Sequence, residues 1–153
     1  MEYNDLINEA ISEFPELLEE YKEECEKIIY NKSPALPILS TDFYEVYIRV
    51  HEQIVNDNKI PFVYQFYEDI VRHHFVKLVN EHYIDKTNND IIKKIEKMAC
   101  FFEKMACSGA PEVENVLSVG IFEVMDDKDQ MKSLLPLLKE KSRALLNDQI
   151  CRT

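Results

Sequence analysis

The chain has 153 residues, 46% of them hydrophobic and 31% charged, with 29 Asp and Glu against 18 Lys and Arg, for a formal net charge of −11. An acidic chain with no basic block is a poor direct ligand for DNA or RNA, because neutralising phosphates supplies most of that affinity. Its two glycines, Gly109 and Gly120, exclude the glycine-rich loops that cradle nucleotide phosphates, and no Gly-x-Ser-x-Gly nucleophile motif is present.

The apolar spacing is helical almost throughout. Leu6, Ile7, Ala10, Ile11 and Phe14 mark a first helix, and Pro15 sits where a second can begin, its missing N–H being harmless in a first turn. Leu17, Leu18, Tyr21, Cys25, Ile28 and Ile29 then form one stripe. Asn31 to Ser40, with Pro34 and Pro37, reads as a loop. The next helix has Phe43, Val46, Tyr47, Val50 and Ile54 inside, capped by Ser40, Thr41 or Asp42. Pro61 opens a longer helix to about Tyr83, with Phe62, Val63, Phe66, Ile70, Val71, Phe75, Leu78 and Val79 as its apolar positions. After the polar stretch Asp85 to Asn89, a helix uses Ile91, Ile92, Ile95, Met98, Ala99, Phe102, Met105 and Ala106. Ser108-Gly109-Ala110-Pro111 ends it and starts another with Val113, Val116, Leu117, Ile121 and Val124 inside. Asp126, Asp127 and Asp129 precede a final pair divided near Pro136, whose Leu134, Leu135, Leu138, Leu145, Leu146 and Ile150 close the core.

Seven or eight helices and no hairpin signal predict an all-α fold of stacked antiparallel pairs, either a helical bundle or a short HEAT-like array. A single α-helical domain over 1–153 is expected, since a chain of this length buries about 70% of its unfolded surface. No apolar run approaches the ~20 residues needed to span a bilayer, and the start, Met-Glu-Tyr-Asn-Asp, lacks the features of an export signal. A soluble, cytoplasmic protein is therefore expected, with Cys25, Cys100, Cys107 and Cys151 as reduced thiols. The heptad repeat of Glu96-Lys-Met-Ala-Cys100 as Glu103-Lys-Met-Ala-Cys107 places both methionines on one face and both thiols on one face; core packing is the expected use.

Catalytic constellations are sparse. His73 and His74 point about 100° apart on a helix and cannot chelate one ion together, while Asp69 and His73 supply at most two ligands. No cysteine sits in a basic or helix-start setting that would activate it. No enzyme, metal or cofactor is expected. The charge is more informative. Residues 1–30 hold ten acids and two lysines, a net −8, which leaves −3 for the other 123 residues. At 100° per residue, Glu16, Glu19, Glu20, Glu23, Glu24 and Glu26 occupy an arc of about 160° opposite the apolar stripe. Such a face is either solvated or steers a basic partner. Nine of the 16 aromatics fall between Phe43 and Tyr83. There Tyr44, Tyr64 and Tyr67 come near helix edges, where a tyrosine can anchor a partner. Asp126, Asp127 and Asp129 form a second acidic candidate.

The segment Phe14-Pro15-Glu16-Leu17 with Tyr21, and the run Met105-Ala106-Cys107-Ser108 followed by Val113-Glu114-Asn115-Val116-Leu117-Ser118-Val119 and Glu123, resemble a family of small acidic bacterial proteins. The likeness covers about half the chain; residues 31–90 fall outside it. Proteins of this kind resemble immunity proteins of polymorphic toxin and contact-dependent growth inhibition systems, which bind a cognate toxin domain in the cytosol and block its active site. The resemblance implies a basic nuclease toxin as partner and transfers no catalytic residue. A helical adaptor with an unrelated protein partner is the alternative, and a small enzyme using a histidine in the 73–82 segment the next.

Overall fold

The computed structural model describes residues 1–20, 62–123, 125 and 127–152, and among them there is no strand: the fold is all-α. A 3-10 turn, Tyr3–Asp5, leads into α1, Leu6–Glu13. Pro15 forces the break that follows, because the residue before a proline is driven out of the helical region, and Phe14 adopts φ −127°, ψ 77°. Residues 17–20 are helical again. Helix α2 is one rod in three stretches: α-helical Phe62–Phe66, π-helical Tyr67–Val71 and α-helical Arg72–Ile84. Helix α3 spans Asn89–Ala106, and α4 runs as an α-helix over Pro111–Asn115 and as a π-helix over Val116–Phe122. Helix α5, Lys128–Leu134, ends in a 3-10 turn, Leu135–Leu137, before α6, Glu140–Arg152. No helix of the described residues is long and apolar enough to cross a membrane.

Local chemistry sets these boundaries. Asn88 caps α3 by accepting from the backbone N–H of Asp90 and Ile91, and Asp127 caps α5 by accepting from Asp129 and Gln130, each such cap being worth about 1 kcal/mol. Gly109, at φ +73°, takes the left-handed turn after α3 that a side chain disfavours, and Pro111 then opens α4. In the turn between α2 and α3, Asp85 Oδ1 accepts from Thr87 N (3.0 Å) and Thr87 Oγ1 (2.6 Å), which holds its carboxyl below the ordinary range. This four-residue connection folds α3 back antiparallel on α2, and α6 packs along the other side of α3.

The core is aromatic at its centre. Phe14 meets Phe101 edge-on at 5.4 Å, Phe75 meets Phe102 at 4.9 Å, and Phe102 meets Phe122 at 6.2 Å. Phe101 and Phe122 are buried although helical spacing did not select them. The two π-helical stretches explain the second, and they pack against each other. A π turn takes up more residues than an α turn, so the apolar stripe slips and Val116, Leu117, Gly120, Ile121 and Phe122 all turn inward. Gly120 permits the approach: a Cβ there would lie 3.4 Å from the Tyr67 Cβ.

Two expectations are corrected. Tyr67, expected near an edge, is 0% exposed, because it lies four residues after Val63 and three before Ile70 on the buried face of the rod, where its hydroxyl donates to the Leu6 carbonyl at 2.7 Å. Burial pushes that hydroxyl well above its ordinary range, and the charge of Glu9 adds to the shift. Cys100 and Cys107 are exposed rather than packed in the core, since each lies two residues, or about 200°, beyond the buried Met98 or Met105. Leu145 and Ile150 are half-buried on α6 and, as expected, pack against the core beside the fully buried Leu146.

A carboxylate from α3 fastens α6. Glu103 Oε1 accepts from Lys141 N (2.9 Å), while Oε2 accepts from Ser142 N (2.9 Å) and Ser142 Oγ (2.7 Å). Cys107 Sγ also donates to Oε1 at 3.5 Å. Partial burial pushes the Glu103 carboxyl up, but the hydrogen bonds from Ser142, Lys141 and Cys107 outweigh it and hold the group below its ordinary range.

Candidate partner-binding surface

The packing of α1 and α4 against the first part of α2 gathers a surface of one sign. Residues 1–20, 62–71 and 111–123 contain no lysine or arginine, yet they hold Glu2, Asp5, Glu9, Glu13, Glu16, Glu19, Glu20, Glu68, Asp69, Glu112, Glu114 and Glu123. Glu9, Glu13 and Glu20 are half-buried and the other nine are exposed. The remaining described residues, 72–110 and 127–152, hold thirteen lysines and arginines against nine acids. The acidity of residues 1–20 is thus extended in space by two further helical stretches that lie far away in sequence. Counting cations per element, rather than charge along the chain, is the signal that finds them.

Of the acidic-helix candidates, Glu16, Glu19 and Glu20 are described. Glu16 Oε1 lies 3.8 Å from His74 Nε2 and Glu20 Oε1 lies 3.6 Å from His74 Nδ1, so the half-buried imidazole of α2 sits between two carboxylates of residues 16–20. Glu19 is exposed, with no such contact among the described residues. Glu23, Glu24, Tyr44 and Asp126 lie outside the described residues, as do Cys25, Val124 and the predicted helix around Phe43 to Ile54.

Tyr64 sits at the edge of this surface. Its hydroxyl accepts from Asn115 Nδ2 at 2.6 Å, and its ring lies 6.3 Å from that of Tyr3. Burial, then Tyr64, then the charge of Glu112 push the Tyr3 hydroxyl above its ordinary range. Tyr3 and Asn115 escape a reading by periodicity, because one precedes the first helix and the other is an exposed polar residue with no distinguishing spacing. Asp127 and Asp129 stand apart from this edge. The carboxylate of Asp127 is occupied in capping α5, and Asp129 lies in the first turn of that helix, where a negative charge is favoured.

The three described histidines of α2 are separated along the rod. His73 is exposed, His74 faces Glu16 and Glu20, and His82 is buried, its Nδ1 without a hydrogen-bond partner among the described residues. No group of three His, Cys, Asp or Glu among the described residues is arranged to hold a metal ion. What the acidic surface can do is attract and order cationic groups. Its field adds over a dozen carboxylates, and protein–protein association steered by such a field exceeds the neutral rate by orders of magnitude.

Residues 7–152 match the family described as Domain of unknown function (DUF7674). No curated protein and no solved structure matches the chain.

Proposed function

The chain belongs to the DUF7674 family, and we propose that it acts as a cytoplasmic immunity protein that binds a cognate basic toxin domain, a nuclease, and occludes its active site. The single observation behind this reading is the acidic half, twelve carboxylates on packed elements with no lysine or arginine on the same stretches. A nuclease cleft must be cationic to hold a polyanion, and an array of carboxylates competes for the same lysines and arginines. The role needs no catalytic group and no cofactor.

The resemblance to immunity proteins supports the scaffold rather than the contact surface. Phe14, Leu17, Met105, Ala106, Val113, Val116 and Leu117 carry much of it, and all are buried. The exposed acids and the Tyr64 edge are what a partner meets. The test is co-expression with a candidate basic nuclease toxin domain. The expected result is rescued growth and a co-purified complex whose affinity falls steeply with added salt. Absence of both rescue and complex would overturn the proposal.

A further inference from the structure

Three segments meet at one aromatic point on the acidic half. Tyr3 and Tyr64 are half-buried, their ring planes 48° apart, and the hydrogen bond from Asn115 holds the Tyr64 phenol in place. Glu112 is exposed one turn before Asn115, and Val119, four residues after it, is 37% exposed. Among the described residues only Tyr83 and Ile84 match Val119 as exposed large apolar side chains, and there Lys86 already lies over the Tyr83 ring at 5.6 Å. Among the described residues no cation lies over the Tyr64 ring in the same way.

A partner of matching chemistry must bring positive charge, and the tyrosine faces select its form. A guanidinium stacks on an aromatic ring while donating in its plane to a carboxylate, whereas a lysine ammonium is a strongly hydrated point charge. Resting on the reading of this protein as a ligand for a basic domain, we propose that the Tyr3–Tyr64 edge is the docking point for an arginine side chain of the partner, stacked on Tyr64 and paired with Glu112.

The test is an NMR titration of the full chain with hexa-arginine and hexalysine peptides at about 0.15 M salt, where the screening length is about 8 Å. Hexa-arginine is expected to shift the signals of Tyr3, Tyr64, Asn115 and Val119 first, and to bind about fivefold or more tightly than hexalysine. Tyr64→Ala should remove that preference, and Tyr64→Phe, which keeps the ring, should retain it. Equal affinity for the two peptides, or shifts spread evenly over all acidic elements, would overturn the proposal; both are read on the unmutated chain and do not depend on any variant folding. A toxin-domain complex indifferent to Tyr64→Ala, in a variant with an unchanged circular dichroism spectrum, would remove the edge and leave the immunity reading. A localised arginine preference with no toxin complex would do the reverse.

Discussion

The half built from residues 1–20, 62–71 and 111–123 and the half built from 72–110 and 127–152 share one aromatic core and differ in surface. The first has no lysine or arginine; the second has thirteen against nine acids. Their fastenings differ as well. The mixed half uses its carboxylates on its own backbone, with Asp85 closing a turn, Glu103 capping α6 and Asp127 capping α5. In the acidic half, among the described residues, Glu16 and Glu20 approach His74, and the fastening of α1 to α2 comes instead from a tyrosine hydroxyl on a carbonyl. The acids of these stretches, with no lysine or arginine on the same stretches, repel one another. A fold retains such a surface at a cost in stability unless something outside offsets the charge.

The largest effect tests the shared core. Phe102 lies between Phe75 and Phe122 and is fully buried, so Phe102→Ala is expected to lower stability by about 3–5 kcal/mol. Chemical denaturation should show a single transition displaced as a whole; two separated transitions would break the picture of halves joined through one core.

Charge reversal sharpens the contrast. Glu19→Lys, Glu68→Lys and Glu114→Lys together, one on each acidic stretch, are expected to slow association with the toxin domain by about 100-fold at low salt. Reversing Glu81, Glu96 and Asp148 on the mixed half should leave the rate within about threefold. Stopped-flow association rates measured across a salt series distinguish the two sets.

A smaller effect concerns the cap on α6. Glu103→Gln replaces an acceptor oxygen with an NH₂ group and removes the charge facing Lys141 and Ser142, which should cost about 2 kcal/mol. The pH dependence has a definite sign. The folded-state value lies below the unfolded one, near 4.3, so the folded state binds fewer protons in the interval between them. The contribution of Glu103 is therefore full above that unfolded value and is lost as pH falls through the lower folded one. Acid unfolding of the Glu103→Gln variant should lack this part of the slope.

The smallest effect is Tyr67→Phe, which deletes the hydroxyl bond to Leu6 and should cost about 1 kcal/mol. Because burial raises the Tyr67 hydroxyl, the stability it contributes is present below an unfolded value near 10 and is lost as pH rises through the higher folded one. Removing that hydroxyl should flatten the alkaline limb of the stability profile, as read from denaturation midpoints above pH 10.

Helical periodicity located the described helices well because one face of each is buried at α spacing. Along α3, Ile91, Ile95, Met98, Ala99, Phe102 and Met105 are all buried as that spacing requires. It missed Phe122 because a π-helical turn changes the angular step, and nothing in the local sequence announces it; the pairing of the two stretches across Gly120 is a tertiary fact. Tyr67, four residues after Val63, stands at α spacing on the buried face, where the Leu6 carbonyl satisfies its hydroxyl. The thiols were misplaced for a different reason: their burial was inferred from residue type, while their angular offset from Met98 and Met105 already pointed to solvent. The acidity of residues 1–20 was legible in the order of residues. The contributions of Glu68, Asp69, Glu112, Glu114 and Glu123 were not, because they join that surface only once α1 and α4 pack on α2.

The central claim is that the acidic half is the face that meets a partner. Hydrogen exchange of the chain alone and in complex with the partner proposed above, a basic toxin domain, tests it most directly. The account predicts that binding slows exchange in residues 1–20 and 111–123 and leaves α3 and α6 unchanged. Protection confined to α3, α5 and α6, with residues 1–20 and 111–123 exchanging as in the free chain, would contradict it.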